Sequence, residues 1–196
     1  MDVPLHYQVS EYDCVPTTFL NAVSFLFTRR EIPPLVVRHI YTYSLDTVSR
    51  GGRLGRAGTS KYAIQLLGHW LNAYKTRKFS VATAYLAPEE IHLRDGSQIL
   101  QCLAENGVAL CNIYVGQSEW HFVLALGHDD EWLYVFDPYL RRALRGLGNR
   151  ARLLDDAGGY RPNIAIRRDW MDGPTRQRFG LGEEDDRECL LVWRVR

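Results

Sequence analysis

The chain has 196 residues, 46% of them apolar and 24% charged, with a formal net charge of +1. That length suits one domain over residues 1–196 with a core large enough to need no staples. The near-neutral balance argues against nucleic acid or an anionic membrane as main partner, and no stretch approaches the ~18 unbroken apolar residues of a membrane helix.

The chain begins MDVPLHYQ, with no basic region ahead of a long apolar run. No secretory signal is visible, so a cytoplasmic location is expected, with export by another route left open. Asp13 can cap a helix whose first turn holds Pro16, where a missing N–H costs little. Phe19, Leu20, Val23, Leu26 and Phe27 follow the spacing of a buried helical face, and Thr28-Arg-Arg ends it. Pro33-Pro34 starts a second helix. SRGGRLGRAG, residues 49–58, reads as a Gly- and Arg-rich loop; it lacks the order of a phosphate-binding loop. Thr59 or Ser60 caps a third helix through KYAIQLLGHWLNAY, and His39 and His69 read as core or boundary residues of the second and third helices.

After Lys78 the pattern changes. KFSVATAYL reads as a strand, and DGSQILQCLAENG as a short helix capped near Ser97 and closed by Gly107. VALCNIYV is a strand. WHFVLALG and WLYVFDPY are two strands around the polar turn His128–Glu131. PNIAIRR and CLLVWRVR complete the strand set, with a long polar loop over 168–188. Helices followed by mostly antiparallel strands predict an α+β fold.

Chemistry centres on Cys14. At a helix start, free N–H groups and the helix dipole stabilise a thiolate, the form that attacks a carbonyl carbon. Taken alone, such a cysteine is more often a packing residue. A nucleophile needs a base, and the base an orienter. With the predicted turn centred on Asp129, Ala125 faces Leu133, Val123 faces Val135 and His121 faces Asp137. Facing residues project on one side of the ladder. A carboxylate on one ring nitrogen fixes the tautomer and stabilises the imidazolium. A structural His–Asp bond ahead of Pro138 is an equal reading of this pair alone. Gln8, six positions before Cys14, can offer an amide N–H to a developing oxyanion. The other cysteines, Cys102, Cys111 and Cys189, read as packing thiols. None of the four forms C-x-x-C or a zinc spacing, so no metal is expected.

In that order, Gln8, Cys14, His121 and Asp137 resemble the papain-like cysteine peptidases, more specifically the C39 and C39-like family. The motifs are QVSEYDC, WHFVLALG and VFDPY, spanning residues 6–140. The resemblance implies a papain-like fold, with an N-terminal helical lobe packed on an antiparallel sheet lobe and a cleft between them. It implies Cys14 as nucleophile, His121 as general base and acid, Asp137 as its orienter, and Gln8 with the Cys14 amide as oxyanion hole. The substrate would be a peptide or protein, with no cofactor. The chain departs from the family in carrying Val15 where Gly commonly follows the cysteine. No transporter segment accompanies the domain, and residues 141–196 match nothing in it. Two other readings stand beside the peptidase: a thiol-dependent acyltransferase, transglutaminase or deamidase, and a silent peptide-binding module.

Overall fold

In the computed structural model, which describes residues 3–195, helix α1 spans Cys14–Leu26. Phe19, Val23 and Leu26 are buried as their spacing predicts, and so are Val15 and Ala22. Helix α2 (Pro34–Tyr43) opens on its proline. Helix α3 (Lys61–Ala73) is capped by Ser60, whose hydroxyl accepts from the Ala63 amide at 3.2 Å. Among the described residues, no helix is long and apolar enough to cross a membrane.

Seven strands form one sheet: β1 (Val81–Tyr85), β2 (Val108–Gly116), β3 (Glu119–His128), β4 (Trp132–Phe136), β5 (Ala151–Leu153), β6 (Ile164–Arg167) and β7 (Cys189–Arg194). The spatial order is β1-β7-β2-β3-β4-β6-β5, and every neighbouring pair is antiparallel. The fold is thus a mixed one, helices with an antiparallel sheet. The last strand, β7, is inserted between the edge strand β1 and β2.

The central strands alternate between two cores. Val108, Leu110, Phe122 and Leu124 pack with α1, α2 and α3. Ala109, Cys111, Ile113, Val123 and Ala125 pack on the other face, against α4 (Gln98–Ala104) and the chain that follows β4. This is the period-two alternation of a strand covered on both sides. Each fully buried Leu, Ile or Phe contributes roughly 1.5–3 kcal/mol.

Several expectations are corrected. The β3–β4 ladder pairs Leu124 with Phe136 and Ala125 with Val135, then Gly127 with Tyr134 and His128 with Leu133. The expected pairs, His121 with Asp137 among them, are therefore displaced by two positions at the inner end. The turn is centred further along the chain, between Asp130 and Glu131, where Asp129 Oδ1 accepts the amides of Glu131 (2.9 Å) and Trp132 (2.7 Å), and Leu126 bulges out of β3. The displacement of three at the turn becomes an even one of two past the bulge, so His121 and Asp137 still share a side.

The polar stretch 168–188 is not simply a loop. It opens with α5 (Arg168–Met171) and buries Met171, Phe179 and Leu181. Arg187 secures it, donating to the Ile91 carbonyl at 2.6 Å and to Asp172 Oδ1 at 2.8 Å. β5 lies where no strand was expected. His69 is exposed, whereas His39 is half-buried with its ring 4.2 Å from that of Trp70.

Candidate active site

Residues 5–8 are tied to α1 and to the chain after β4 by a series of hydrogen bonds. The Leu5 amide donates to the Gly159 carbonyl at 2.7 Å. Gly159 has φ +89°, and a Cβ there would sit 2.5 Å from the Leu5 carbonyl, so only glycine allows the crossing. Asn21, buried on α1, pairs twice with His6: the His6 N–H donates to Oδ1 at 2.7 Å, and Nδ2 donates to the His6 carbonyl at 2.9 Å. The Tyr7 hydroxyl donates to Asp156 at 2.7 Å. The Gln8 N–H then donates to the Pro138 carbonyl at 2.8 Å, which ties Gln8 to the residue after Asp137.

Between Gln8 and Cys14 the chain folds around Asp13. The carboxylate accepts the amides of Val9 (3.0 Å) and Ser10 (2.7 Å) and the Ser10 hydroxyl (2.8 Å). Burial pushes the Asp13 carboxyl up, and the Val9 and Ser10 hydrogen bonds outweigh it and hold it below its ordinary value. The expected helix cap is not made, because the carboxylate turns backward into this loop. Among the described residues none accepts the Cys14 or Val15 amide, so the helix N-terminus stays open beside the thiol.

Two contacts fix the thiol and the ring relative to each other. Thr18 Oγ1 lies 2.7 Å from the Cys14 carbonyl and 3.2 Å from that of Phe122, so α1 is pinned to the residue after His121. Cys14 is half-exposed, and Val15 packs into the helical core at 2% exposure without covering it.

His121 is buried, and its Nε2 meets Asp137 Oδ1 at 2.6 Å. With Nε2 engaged, Nδ1 is the ring nitrogen left for another partner. Burial lowers the ring's proton affinity; the Asp137 hydrogen bond, then Cys14, raise it further, and the result is pushed up to about 9. Cys14 and His121 line one cavity, so the thiol and the ring face a common space.

Asp137 is fully buried and richly held. Its Oδ1 also accepts the Tyr139 amide at 2.8 Å, and Arg141 Nε donates to Oδ2 at 2.5 Å. Asn163 accepts the Asp137 amide at 2.7 Å and donates to its carbonyl at 2.8 Å. Burial pushes the Asp137 carboxyl up; His121 first, then Arg141, more than offset this and hold it low.

All four predicted site residues meet at one place. Gln8, Cys14 and His121 line a cavity of about 250 Å³, also bounded by Tyr139 and Arg141, and Asp137 lies buried behind His121. A second cavity of about 610 Å³ adjoins it through Cys14, Glu11, Glu119 and Trp120. Its wall includes Arg56–Thr59, the end of the Gly- and Arg-rich loop. Thr18, Asn21, Arg141 and Asn163 were missed in the sequence. Only Arg141 carried a local signal, standing four residues after Asp137. Among the described residues, no group of three or more His, Cys, Asp or Glu side chains could hold a metal ion.

No protein-family model and no curated protein matches the sequence. Among solved structures, the chain is similar to the peptidase domain of Streptococcus mutans ComA, at 11% identity and a TM-score of 0.44, over 99% of this chain and 100% of that one.

Proposed function

We propose that this chain is a cysteine hydrolase of papain-like architecture, acting on a peptide or amide bond through Cys14. The observation that carries the reading is the run from a half-exposed thiol to a buried ring to a buried carboxylate, with His121 Nε2 held at 2.6 Å by Asp137 and Cys14 at the cavity lip. Because the His121 ring holds a proton up to about pH 9, the reacting form is an ion pair in which the Cys14 proton already sits on the ring nitrogen that Asp137 leaves free. The thiolate attacks the carbonyl carbon, and the carbonyl oxygen takes the negative charge. The Cys14 amide and the Gln8 side chain receive it: Gln8 Nε2 gives one N–H to the Ser10 carbonyl at 2.7 Å and has a second free. The imidazolium then protonates the leaving amine as the C–N bond breaks, leaving a thioester on Cys14. Water, deprotonated by His121, cleaves the thioester and restores the thiol.

An electrophilic thiol probe tests this, with labelling sites read by mass spectrometry. Cys14 is expected to react well ahead of Cys102, Cys111 and Cys189, which are all fully buried. Burial pushes the Cys102 thiol up to about 12 and raises Cys189 as well. Cys14→Ala is expected to abolish peptide turnover. Equal labelling of the four thiols, or turnover that survives Cys14→Ala, overturns the reading. Including an excess of a primary amine separates hydrolysis from acyl transfer, because only transfer yields an amide conjugate.

A further inference from the structure

The larger cavity beside Cys14 holds a polar group without a partner. Asn112, on β2 opposite Phe122, is 8% exposed, and its Oδ1 is buried with no hydrogen-bond donor. An unmet buried acceptor of this kind costs about 1–3 kcal/mol. Asn112 lines the cavity wall with its Oδ1 turned inward beneath the surface, so the side-chain amide must turn about its last torsion for that oxygen to meet a donor from the cavity.

The charge around it has one dominant sign. Glu188 lines the same cavity, and its backbone carbonyl accepts the Asn112 amide at 3.0 Å, so the two residues are neighbours. Glu188 Oε1 accepts the Tyr85 hydroxyl at 2.9 Å, and no salt bridge of the described residues includes this carboxylate. Glu11 and Glu119 stand exposed at the rim. Against these three acids the lining has one cation, Arg56, which is exposed on its loop. Lys61 acts on Glu188 from α3 across a neighbouring cavity that Glu188 also lines, so this carboxylate stands at the wall between the two cavities. Tyr12, Trp120 and Phe122 supply aromatic surface.

We propose that this cavity is a substrate pocket for a basic side chain, arginine or lysine, of the peptide acted on at Cys14. The inference deepens the functional reading above and rests on it for the placing of the scissile bond. A cation with several N–H donors meets both the Asn112 oxygen and the Glu188 carboxylate. Its aliphatic stem lies along the aromatic wall, where a guanidinium also gains from the ring faces. An acidic side chain meets three like charges, and an apolar one leaves Asn112 unmet.

The test measures binding, so it does not depend on turnover. Cys14→Ala protein is incubated with hexapeptide libraries whose fixed central residue is arginine, its neutral isostere citrulline, glutamate or alanine. The arginine library is expected to bind at least about tenfold tighter than the citrulline and glutamate libraries, and to weaken with salt. Glu188→Gln keeps an acceptor for Tyr85 and removes the charge, and is expected to reduce that preference to near parity. Equal binding of arginine and citrulline libraries overturns the proposal, as does a preference that survives Glu188→Gln unchanged. The comparison of peptides on one protein needs no second variant to fold. Wild-type protein with the electrophilic probe is run alongside: an unreactive Cys14 defeats the hydrolase reading, while the library result stands or falls by itself.

Discussion

Arg141 grips the oxygen of Asp137 that His121 leaves free. Nε lies 2.5 Å from Oδ2, while His121 Nε2 lies 2.6 Å from Oδ1. The guanidinium is held in place by the rings of Tyr139, at 5.1 Å, and Phe179, at 4.9 Å. A buried carboxylate is tolerable when both oxygens are met. Sharing the charge between two cations also weakens its pull on His121. Arg141 thus sets how strongly the imidazolium is held.

Replacing Arg141 with methionine is expected to cost about 1–3 kcal/mol in urea unfolding, because one buried oxygen loses a charged donor. His121 should then hold its proton more tightly, since its partner's charge is undivided. An NMR titration of the ring is expected to show an upward displacement. A displacement downward, or none, would mean that Arg141 only packs.

The pH dependence of stability follows from the same pair. The ring's pKa rises from an ordinary 6.5 to about 9 in the folded chain, so its stabilising effect is complete below 6.5 and is lost as pH climbs through about 9. Asp137 has the opposite sign: held low, it stabilises above the ordinary carboxylate range and loses this in acid. Thermal melts are expected to be highest at mildly acidic pH and to fall from pH 6.5 to about 9. Asp137→Asn removes the largest contact that raises the ring, so its alkaline fall should move to lower pH. An alkaline limb that is unmoved in the variant contradicts this account.

Much of the frame could be read locally. The pattern of Phe19, Val23 and Leu26 gave α1, Ser60 and Ser97 marked helix starts, and the alternation around Val123 gave β3. The ladder register could not be read, because it depends on where the turn closes among His128–Trp132 and on where Leu126 bulges, and a bulge leaves no mark in an apolar run. The direction of the Asp13 carboxylate was also hidden, since a helix cap and a backward turn use the same residue type. Asn163 and Asn21 act across 26 and 15 residues, and nothing near either one distinguishes it from a surface asparagine. The charge of the larger cavity combines residues from the segment before α1, β3 and the approach to β7, so it exists only once the sheet is assembled.

Asn21 gives a test of how Gln8 is positioned. It binds both backbone groups of His6, and it is fully buried. Asn21→Ala removes both side-chain hydrogen bonds to the His6 backbone and is expected to cost about 1–3 kcal/mol in stability. If the arm places Gln8 for the reaction, the variant's kcat should fall by about tenfold or more at temperatures where it is folded, with KM little changed. Gln8→Ala should reproduce the loss in kcat without the loss in stability. A folded Asn21→Ala protein with unaltered kcat would show that Gln8 is held by the Pro138 contact alone.

The turn joining β2 to β3 carries strain at the edge of the cleft. Gln117 has φ 53° and Ser118 has φ 62°, both left-handed and neither glycine. A two-residue hairpin turn of this form favours Asn-Gly, because each other residue type costs about 1 kcal/mol there. Ser118 lines the cavity that adjoins Cys14, so the strain sits beside the proposed substrate pocket. The Ser118 amide donates to the Tyr114 hydroxyl at 3.2 Å, a backbone contact that any residue at 118 keeps. Gln117→Asn combined with Ser118→Gly is therefore expected to stabilise the fold by about 1–2 kcal/mol, raising the melting temperature by roughly 2–8 °C for a chain of this size. Thermal unfolding of the double variant beside the wild type decides it. A lower melting temperature would mean that the side chains of Gln117 and Ser118 contribute more than their backbone strain costs.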